Sequence, residues 1–214
     1  MIVSGKFIVF ESIDAALRSS FARSTAESMG IKFIGKKELP DEKLNIATEI
    51  KKLASLMWPE NDNEIGHLLP LEYWINVQAC WYTLRSKFII EQQLQTEGSI
   101  ICDSWYYNFI AKCKVDKKFN KDDIDFYFKH IKKPDLSVLI TVNNFEKLWE
   151  NQTDLRPSKM GVHQGFKGLD KNVFIEFQAS IQNNLIECAK ENQWLILSEN
   201  ELKENFNKKI IERI

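Results

Sequence analysis

Residues 7–22 read FIVFESIDAALRSSFA, and this stretch decides the fold. Four apolar residues, 7–10, are followed by Glu11, and a helix-forming pattern begins within a few residues of it. A buried strand that passes through a short turn into a helix is the setting of a phosphate-binding loop. Such loops use glycines, whose backbone adopts positive φ and lets N–H groups approach phosphate oxygens closely. No glycine occurs in this stretch, so the setting is present without the usual glycine mechanism.

Strands and helices alternate along the rest of the chain. Short apolar runs predict further strands at 32–34, 99–102, 136–142 and 194–197. A 3.6-residue periodicity predicts helices at 15–29, 41–57, 71–96, 105–111, 122–130, 145–151, 171–192 and 201–213. This alternation predicts one α/β domain, residues 1–214, with a parallel sheet covered on both faces.

Two polar intervals predict loops. Residues 59–67 are acidic, and residues 152–168 are rich in glycine and basic side chains. A loop longer than about 12 residues in a compact domain is usually a lid or a mobile segment. For the lid-like loop at 152–168, a lid and plain disorder both stay open.

Composition excludes several classes of function. The formal net charge of −1 gives no general attraction to nucleic acid or to anionic membranes. No apolar run approaches the roughly 20 residues of a membrane span, and no signal-peptide pattern opens the sequence, so we expect a cytoplasmic protein. The four cysteines form no CxxC pair and have no histidine at ligand spacing, which predicts reduced structural thiols and no metal site.

The same order of motifs resembles the thymidylate kinase family along nearly the whole chain. The first stretch matches the family's F-I-V-F-E-G-x-D-G-A-G-K-S-T-x-A at residues 7–11, Asp14, Ala16, Ser19 and Ala22. Residues 99–107, SIICDSWYY, resemble V-V-C-D-R-Y-x-Y, and residues 134–140, PDLSVLI, resemble P-D-L-T-x-x-L. The resemblance implies a three-layer P-loop nucleoside monophosphate kinase fold, with a central parallel sheet of about five strands, and a homodimer formed through helices.

The chain departs from this family where phosphate would bind. The family's glycines are replaced by Ser12, Ala15 and Leu17, and its lysine by Arg18. A non-glycine residue in the left-handed conformation costs about 1–2 kcal/mol, so we expect the loop to take another shape. The interpretation that competes with an ATP site is a strand, a turn and a helix that begins at or before Ala16, is capped by Asp14, and holds no anion.

The resemblance also implies roles for individual residues. They are catalytic roles for Asp103, Arg18 and Arg156, nucleotide binding for Asp14, Ser19 and Ser20, and substrate binding for Trp81, Arg85 and Tyr107, with no protein metal site. In the family an arginine follows the aspartate, and Ser104 stands at that position here. The site therefore lacks a positive charge that would stabilise the transition state. The aromatic ring of Trp81 has a second interpretation as a core side chain.

Three functions remain open at this point. The first is a pseudokinase that binds a nucleotide or a protein, with lost or weak phosphoryl transfer. The second is an active kinase that converts dTMP and ATP to dTDP and ADP, or acts on a related small molecule, with Mg²⁺, ATP, Arg18 and lid residues. The third is an interaction module without a ligand, in which Leu17 and Trp105 fill the pocket.

Overall fold

Five parallel strands form the centre of the molecule. The computed structural model describes residues 5–14, 17–59, 68–116, 121–152, 156–201, 206–211 and 213, with backbone only at 121–123 and 206–208. The strands are β1 (Phe7–Glu11), β2 (Lys32–Ile34), β3 (Ile100–Cys102), β4 (Leu136–Thr141) and β5 (Leu195–Ser198). They lie in the order β2-β3-β1-β4-β5, and every neighbouring pair is parallel. The expected parallel sheet of about five strands is confirmed.

Helices pack against both faces of this sheet. They are α1 (Arg18–Met29), α2 (Ala47–Met57), α3 (Leu71–Arg85), α4 (Glu91–Thr96), α5 (Tyr107–Cys113), α6 (Lys121–Phe128), α7 (Phe145–Glu150), α8 (Lys171–Glu191) and α9 (Phe206–Ile211). None of the helices in the described part of the chain has the length and apolar character needed to cross a membrane.

The side chains of β1 explain why the sheet needs two covering layers. Phe7 and Val9 belong to a core that α2, α3 and α5 cover, whereas Ile8 and Phe10 belong to a core that α1 covers. Successive side chains of a strand point to opposite faces, so an unbroken apolar run is buried on both sides. The central position of β1 places its carboxyl end, Glu11, in the middle of the sheet edge where ligands bind in open α/β folds.

The long helix predicted at 71–96 is interrupted. A π-helical turn, Ser86–Ile90, separates α3 from α4. The Arg85 guanidinium donates to the carbonyl of Gly35, and the Ser86 hydroxyl accepts from the N–H of Lys132. Periodicity could not show this break, because it arises from two contacts with distant parts of the chain.

The predicted start of the first helix is wrong. α1 begins at Arg18 and Leu17 precedes it as a turn residue, while Ala15 and Ala16 lie outside the described residues. The Asp14 carboxylate does not cap α1, because its Oδ2 lies 2.6 Å from Nζ of Lys112. A charged partner attracts the carboxylate more strongly than the neutral N–H groups of a helix end do.

The lid-like loop has local structure of its own. Two short 3₁₀ turns, Pro157–Lys159 and Val162–Gln164, occur within it, and Met160 is fully buried. Gly161 has φ of 73°, and a Cβ atom there would lie 2.7 Å from the ring of Phe177, so this position requires glycine. The loop therefore docks on α8. The other predicted loop, 59–67, lies outside the described residues except for its first residue.

Candidate ligand-binding site

The turn after β1 is held by hydrogen bonds within the protein. The Ser12 hydroxyl donates to the carbonyl of Ile140 at 2.7 Å. The Ser12 carbonyl accepts from Nδ2 of Asn108 at 2.7 Å and from the Arg18 guanidinium at 3.1 Å. Arg18 stands at the position where the resemblance implies a phosphate-bridging lysine. Its guanidinium is thus hydrogen-bonded to the turn itself.

Asp14 joins this turn to the lid. Its N–H donates to Oε1 of Gln178 at 3.2 Å, and Nε2 of Gln178 donates to the carbonyl of Lys159 at 3.0 Å. Its carboxylate pairs with Lys112, which also donates to the carbonyl of Ser158 at 3.5 Å. Burial raises the pKa of Asp14, but the Lys112 charge and hydrogen bond outweigh it and lower the pKa overall.

Glu11 ends β1 as a fully buried carboxyl group. Its Oε1 accepts from the N–H of Trp105 at 2.8 Å, and its Oε2 lies 3.4 Å from the Ser104 hydroxyl. Burial raises the pKa of Glu11 to about 7, although the charge of Arg18 and the Trp105 N–H pull it down. This group therefore changes charge near neutral pH.

A turn at residues 35–38 approaches the same sheet edge. The Arg85 guanidinium holds it by donating to the carbonyls of Gly35 and Glu38 at 2.6 and 3.0 Å, and to that of Lys36 at 2.9 Å. The N–H of Lys36 donates to Oδ1 of Asp103 at 2.5 Å. Burial, followed by the Arg18 charge, lowers the pKa of the Lys36 ammonium to about 8.

A cavity of about 200 Å³ lies between this turn, α3, α5 and the lid. Its aromatic walls are Trp58, Trp74 and Phe109. Its cations are Lys36, Lys37, Lys112, Arg156 and Lys159, and the one acidic side chain among the described residues that line it is Asp14. The cavity thus combines apolar rings with a surplus of positive charge, which suits an anion that carries a planar ring.

Apart from Oδ2 of Asp14, which pairs with Lys112, three polar atoms of the cavity residues are buried without a hydrogen-bond partner among the described groups. They are Nε1 of Trp74, Oε1 of Gln78 and Oε1 of Gln164. A buried polar group without a partner costs about 1–3 kcal/mol, so native proteins rarely keep one without a reason. One donor and two acceptors around one cavity fit a ligand with hydrogen-bonding edges.

The structure brings only some of the predicted site residues together. Arg18, Ser19 and Asp103 line a second cavity on the other side of the 35–38 turn, whereas Asp14 and Arg156 line the smaller one. Lys36 and Lys37 line both cavities and separate them. The Ser20 hydroxyl donates to the carbonyl of Leu17 at 2.7 Å.

The three predicted substrate residues lie apart from these cavities. Trp81 is fully buried beside Trp58, as its interpretation as a core residue predicted. Arg85 is also fully buried and uses its guanidinium for the 35–38 turn. Tyr107 lies beside Tyr106, with their hydroxyls 3.3 Å apart, and lines a different cavity next to α6 and α8.

The pocket-filling side chains of the third hypothesis are also placed differently. Leu17 is 59% exposed, and Trp105 is fully buried beneath the site with its indole N–H bonded to the carbonyl of Lys132. Neither side chain is among those that line the smaller cavity.

Sequence reasoning missed several residues that build the site: Lys36, Trp74, Gln78, Lys112 and Gln178. Lys36 lies two residues after the end of the predicted strand at 32–34, so the carboxyl end of that strand was a usable signal. The glutamines carried no signal, because helical periodicity does not distinguish a polar residue facing solvent from one facing a cavity.

The described residues of the turn after β1, 12–14 and 17–18, do not fit the ATP·Mg²⁺ group that the fold implies. The N–H of Asp14 and the carbonyl of Ser12 already have protein partners, and the guanidinium of Arg18 is bonded to that carbonyl. A phosphate chain needs free N–H groups aimed at its oxygens. These groups are therefore not available to a phosphate chain in this arrangement of the turn.

The chain has the fold seen in solved structures of thymidylate kinases. The structure of thymidylate kinase from Candida albicans matches with a TM-score of 0.60 and 18% identity, over 98% of this chain and 90% of that chain. Thymidylate kinase from Ehrlichia chaffeensis matches with a TM-score of 0.53 and 16% identity, over 90% of this chain and 85% of that one. No protein-family model and no curated protein sequence matches the chain.

Proposed function

We propose that this protein is a thymidylate-kinase-like pseudokinase that binds a nucleoside monophosphate and has lost, or greatly weakened, ATP-dependent phosphoryl transfer. The observation that carries the proposal is the contrast between two neighbouring regions. In the described part of the turn after β1, the Ser12 hydroxyl, the Ser12 carbonyl and the Asp14 N–H are bonded within the protein, while the adjacent cavity keeps polar atoms without a partner among the described groups.

The binding half of the proposal follows from the cavity chemistry. Trp58, Trp74 and Phe109 offer faces for a planar base, and Gln78 offers an unpartnered acceptor. The lining cations supply charge for a phosphate group. A nucleoside monophosphate has both a planar base and a phosphate group. A cavity of 200 Å³ can hold part of such a ligand.

The proposed loss of phosphoryl transfer follows from two features, a missing positive charge and a turn after β1 whose described polar groups have protein partners. Phosphoryl transfer depends on positioning and on cations at the developing charge. Ser104 is fully buried and approaches Glu11, so it supplies no cation beside Asp103. Arg18 would have to leave the Ser12 carbonyl before it reached a phosphate.

Calorimetric titration tests both halves with the complete chain. We expect dTMP to bind without ATP, and ATP·Mg²⁺ alone to give no binding heat. Chromatography of a mixture with dTMP, ATP and Mg²⁺ should show no dTDP above the uncatalysed background. Formation of dTDP at many turnovers per protein molecule would reject the pseudokinase, and absence of dTMP binding at millimolar concentration would reject the nucleotide-binding half.

A further inference from the structure

A third cavity, of about 500 Å³, lies between α5, α6 and the last turn of α8. Among the described residues, it shares none with the cavities on either side of the 35–38 turn. The two sides of α5 line different cavities, because Phe109 and Lys112 line the proposed nucleotide cavity whereas Ile110 and Lys114 line this one. A ligand in the third cavity would therefore use different residues from a nucleotide.

The buried residues that line this cavity are aromatic or aliphatic. Tyr106 stacks on Phe128, with ring centroids 5.2 Å apart and an angle of 27° between the planes. Tyr107 lies against Tyr106 with ring centroids 4.3 Å apart. Tyr106, Phe128 and Ile110 are each at most 8% exposed. Such a surface suits an apolar side chain of the ligand.

Charges of both signs line the cavity from different elements. Lys114 follows the end of α5, and Lys129 and Lys133 come from the segment after α6. Asp125 belongs to α6 and Glu191 to the last turn of α8, where the helix dipole is negative. In the described part of the chain, Asp125 forms no ion pair with any of the three lysines. A ligand that carries both charges can meet both sets of groups at once.

The hydroxyls of Tyr106 and Tyr107 keep one hydrogen that needs an acceptor. Their oxygens are 3.3 Å apart, so one hydroxyl donates to the other, and the second O–H has no further partner within the described part of the chain. Burial raises the pKa of both hydroxyls, that of Tyr106 to about 12, so both stay protonated at neutral pH. A carboxylate is a strong acceptor for such a group, because the hydrogen bond is assisted by its charge.

We propose that this cavity binds a small zwitterion, an α-amino acid with an apolar side chain. Its carboxylate lies on the side of α5, where it meets the Lys114 ammonium and the free tyrosine O–H. Its ammonium lies on the opposite side, toward Asp125 and the last turn of α8. Its side chain packs on Ile110 and Phe128. A ligand with a single charge leaves one of these two sets of groups unused.

Three matched probes test the need for both charges with the complete chain. They are L-phenylalanine, 3-phenylpropionate, which lacks the ammonium group, and phenethylamine, which lacks the carboxylate. We expect L-phenylalanine to bind at least about fivefold more tightly than either analogue, because each analogue loses one set of charged contacts. Ligand-observed NMR titration measures the three affinities. An analogue that binds as tightly as L-phenylalanine, or absence of L-phenylalanine binding at millimolar concentration, would overturn the proposal.

Two variants locate the site, and each is the control for the other. Lys114→Gln should weaken L-phenylalanine and 3-phenylpropionate at least about threefold and leave phenethylamine unchanged, because it alters only the carboxylate side. Asp125→Asn should weaken L-phenylalanine and phenethylamine by a similar factor and should not weaken 3-phenylpropionate. If either variant keeps the parent's circular dichroism and weakens all three probes equally, or weakens none, these probes bind elsewhere and the proposal is wrong.

Discussion

Nζ of Lys112 lies 2.6 Å from Oδ2 of Asp14, and the two side chains are 16% and 17% exposed. This ion pair joins α5 to the turn after β1. An ion pair with this little exposure is costly to break from one side, because the remaining charge is left without a partner.

Lys112→Met should therefore destabilise the protein by about 2–3 kcal/mol while keeping most of the apolar stem. Lys51→Met is the control. Lys51 pairs with Glu42 at a similar distance, 2.7 Å, but these two side chains are 43% and 83% exposed. That variant should lose clearly less stability than Lys112→Met, because solvent screens an exposed pair. Urea unfolding measures both, and equal losses would mean that the Asp14 pair contributes no more than a surface pair.

Gln178→Leu should loosen the lid. The substitution removes the bonds to the N–H of Asp14 and to the carbonyl of Lys159, each worth about 1 kcal/mol. We expect amide exchange at Asp14 and across 156–164 to quicken by about tenfold, since 1.4 kcal/mol corresponds to a factor of ten. Hydrogen exchange followed by mass spectrometry reports on these segments.

Gln182→Leu controls for the general cost of losing a glutamine that bonds to backbone through both ends of its amide. Gln182 lies one turn further along α8 and makes a similar pair of bonds, to the N–H and carbonyl of Val142. Its replacement should lower stability without a selective change at 156–164. If both variants speed exchange of the lid equally, Gln178 does not hold the lid specifically.

The sheet was predictable from the sequence because each strand is a short apolar run buried on both faces. The predicted bounds of β2 agree with the structure, and those of β1 and β3 differ by one residue. The break at Ser86–Ile90 was not predictable, because it depends on contacts of Arg85 and Ser86 with distant backbone.

The site was predictable only in part. The missing glycines led directly to the prediction that the loop departs from a phosphate-binding loop, which stays a prediction because Ala15 and Ala16 lie outside the described residues. The sequence could not show that the Asp14 carboxylate pairs with Lys112 and does not cap α1, because Asp14 and Lys112 are 98 residues apart along the chain. The role of Arg85 was likewise hidden, because a buried arginine that bonds to backbone carbonyls has the same sequence spacing as one that faces a ligand.

Gln78→Leu should weaken dTMP binding without lowering stability. Oε1 of Gln78 is a buried acceptor with no partner among the described groups, so its removal deletes no hydrogen bond of the free protein. One lost hydrogen bond to a ligand is worth about 0.5–1.5 kcal/mol, which predicts a dissociation constant raised about 3- to 10-fold. Calorimetric titration with dTMP, together with urea unfolding, separates the two effects.

Gln93→Leu provides the comparison for that experiment. Oε1 of Gln93 is also buried without a partner, but Gln93 lies in α4 beside a cavity that shares no residue with the proposed nucleotide site. Its replacement should leave dTMP affinity unchanged. If Gln93→Leu weakens binding as much as Gln78→Leu does, the nucleotide site has been placed wrongly.

Glu11→Gln should change how stability depends on pH. The pKa of Glu11 is about 7 in the folded protein and 4.5 in an exposed chain, so the folded state keeps a proton that the unfolded state loses between these values. Stability from this group is therefore lost as pH rises from 4.5 to 7, by roughly 3 kcal/mol at about 1.4 kcal/mol per unit. Glutamine does not titrate and its Oε1 can still accept from the Trp105 N–H, so the variant should match the parent near pH 4 and exceed it by roughly that amount at pH 8. Glu42→Gln is the control, because that group is exposed and its Lys51 partner lowers its pKa instead of raising it. Urea unfolding at pH 4 to 8 measures the free energy of unfolding of both proteins. A difference between Glu11→Gln and the parent that is the same at every pH would show that this carboxyl does not titrate near neutrality.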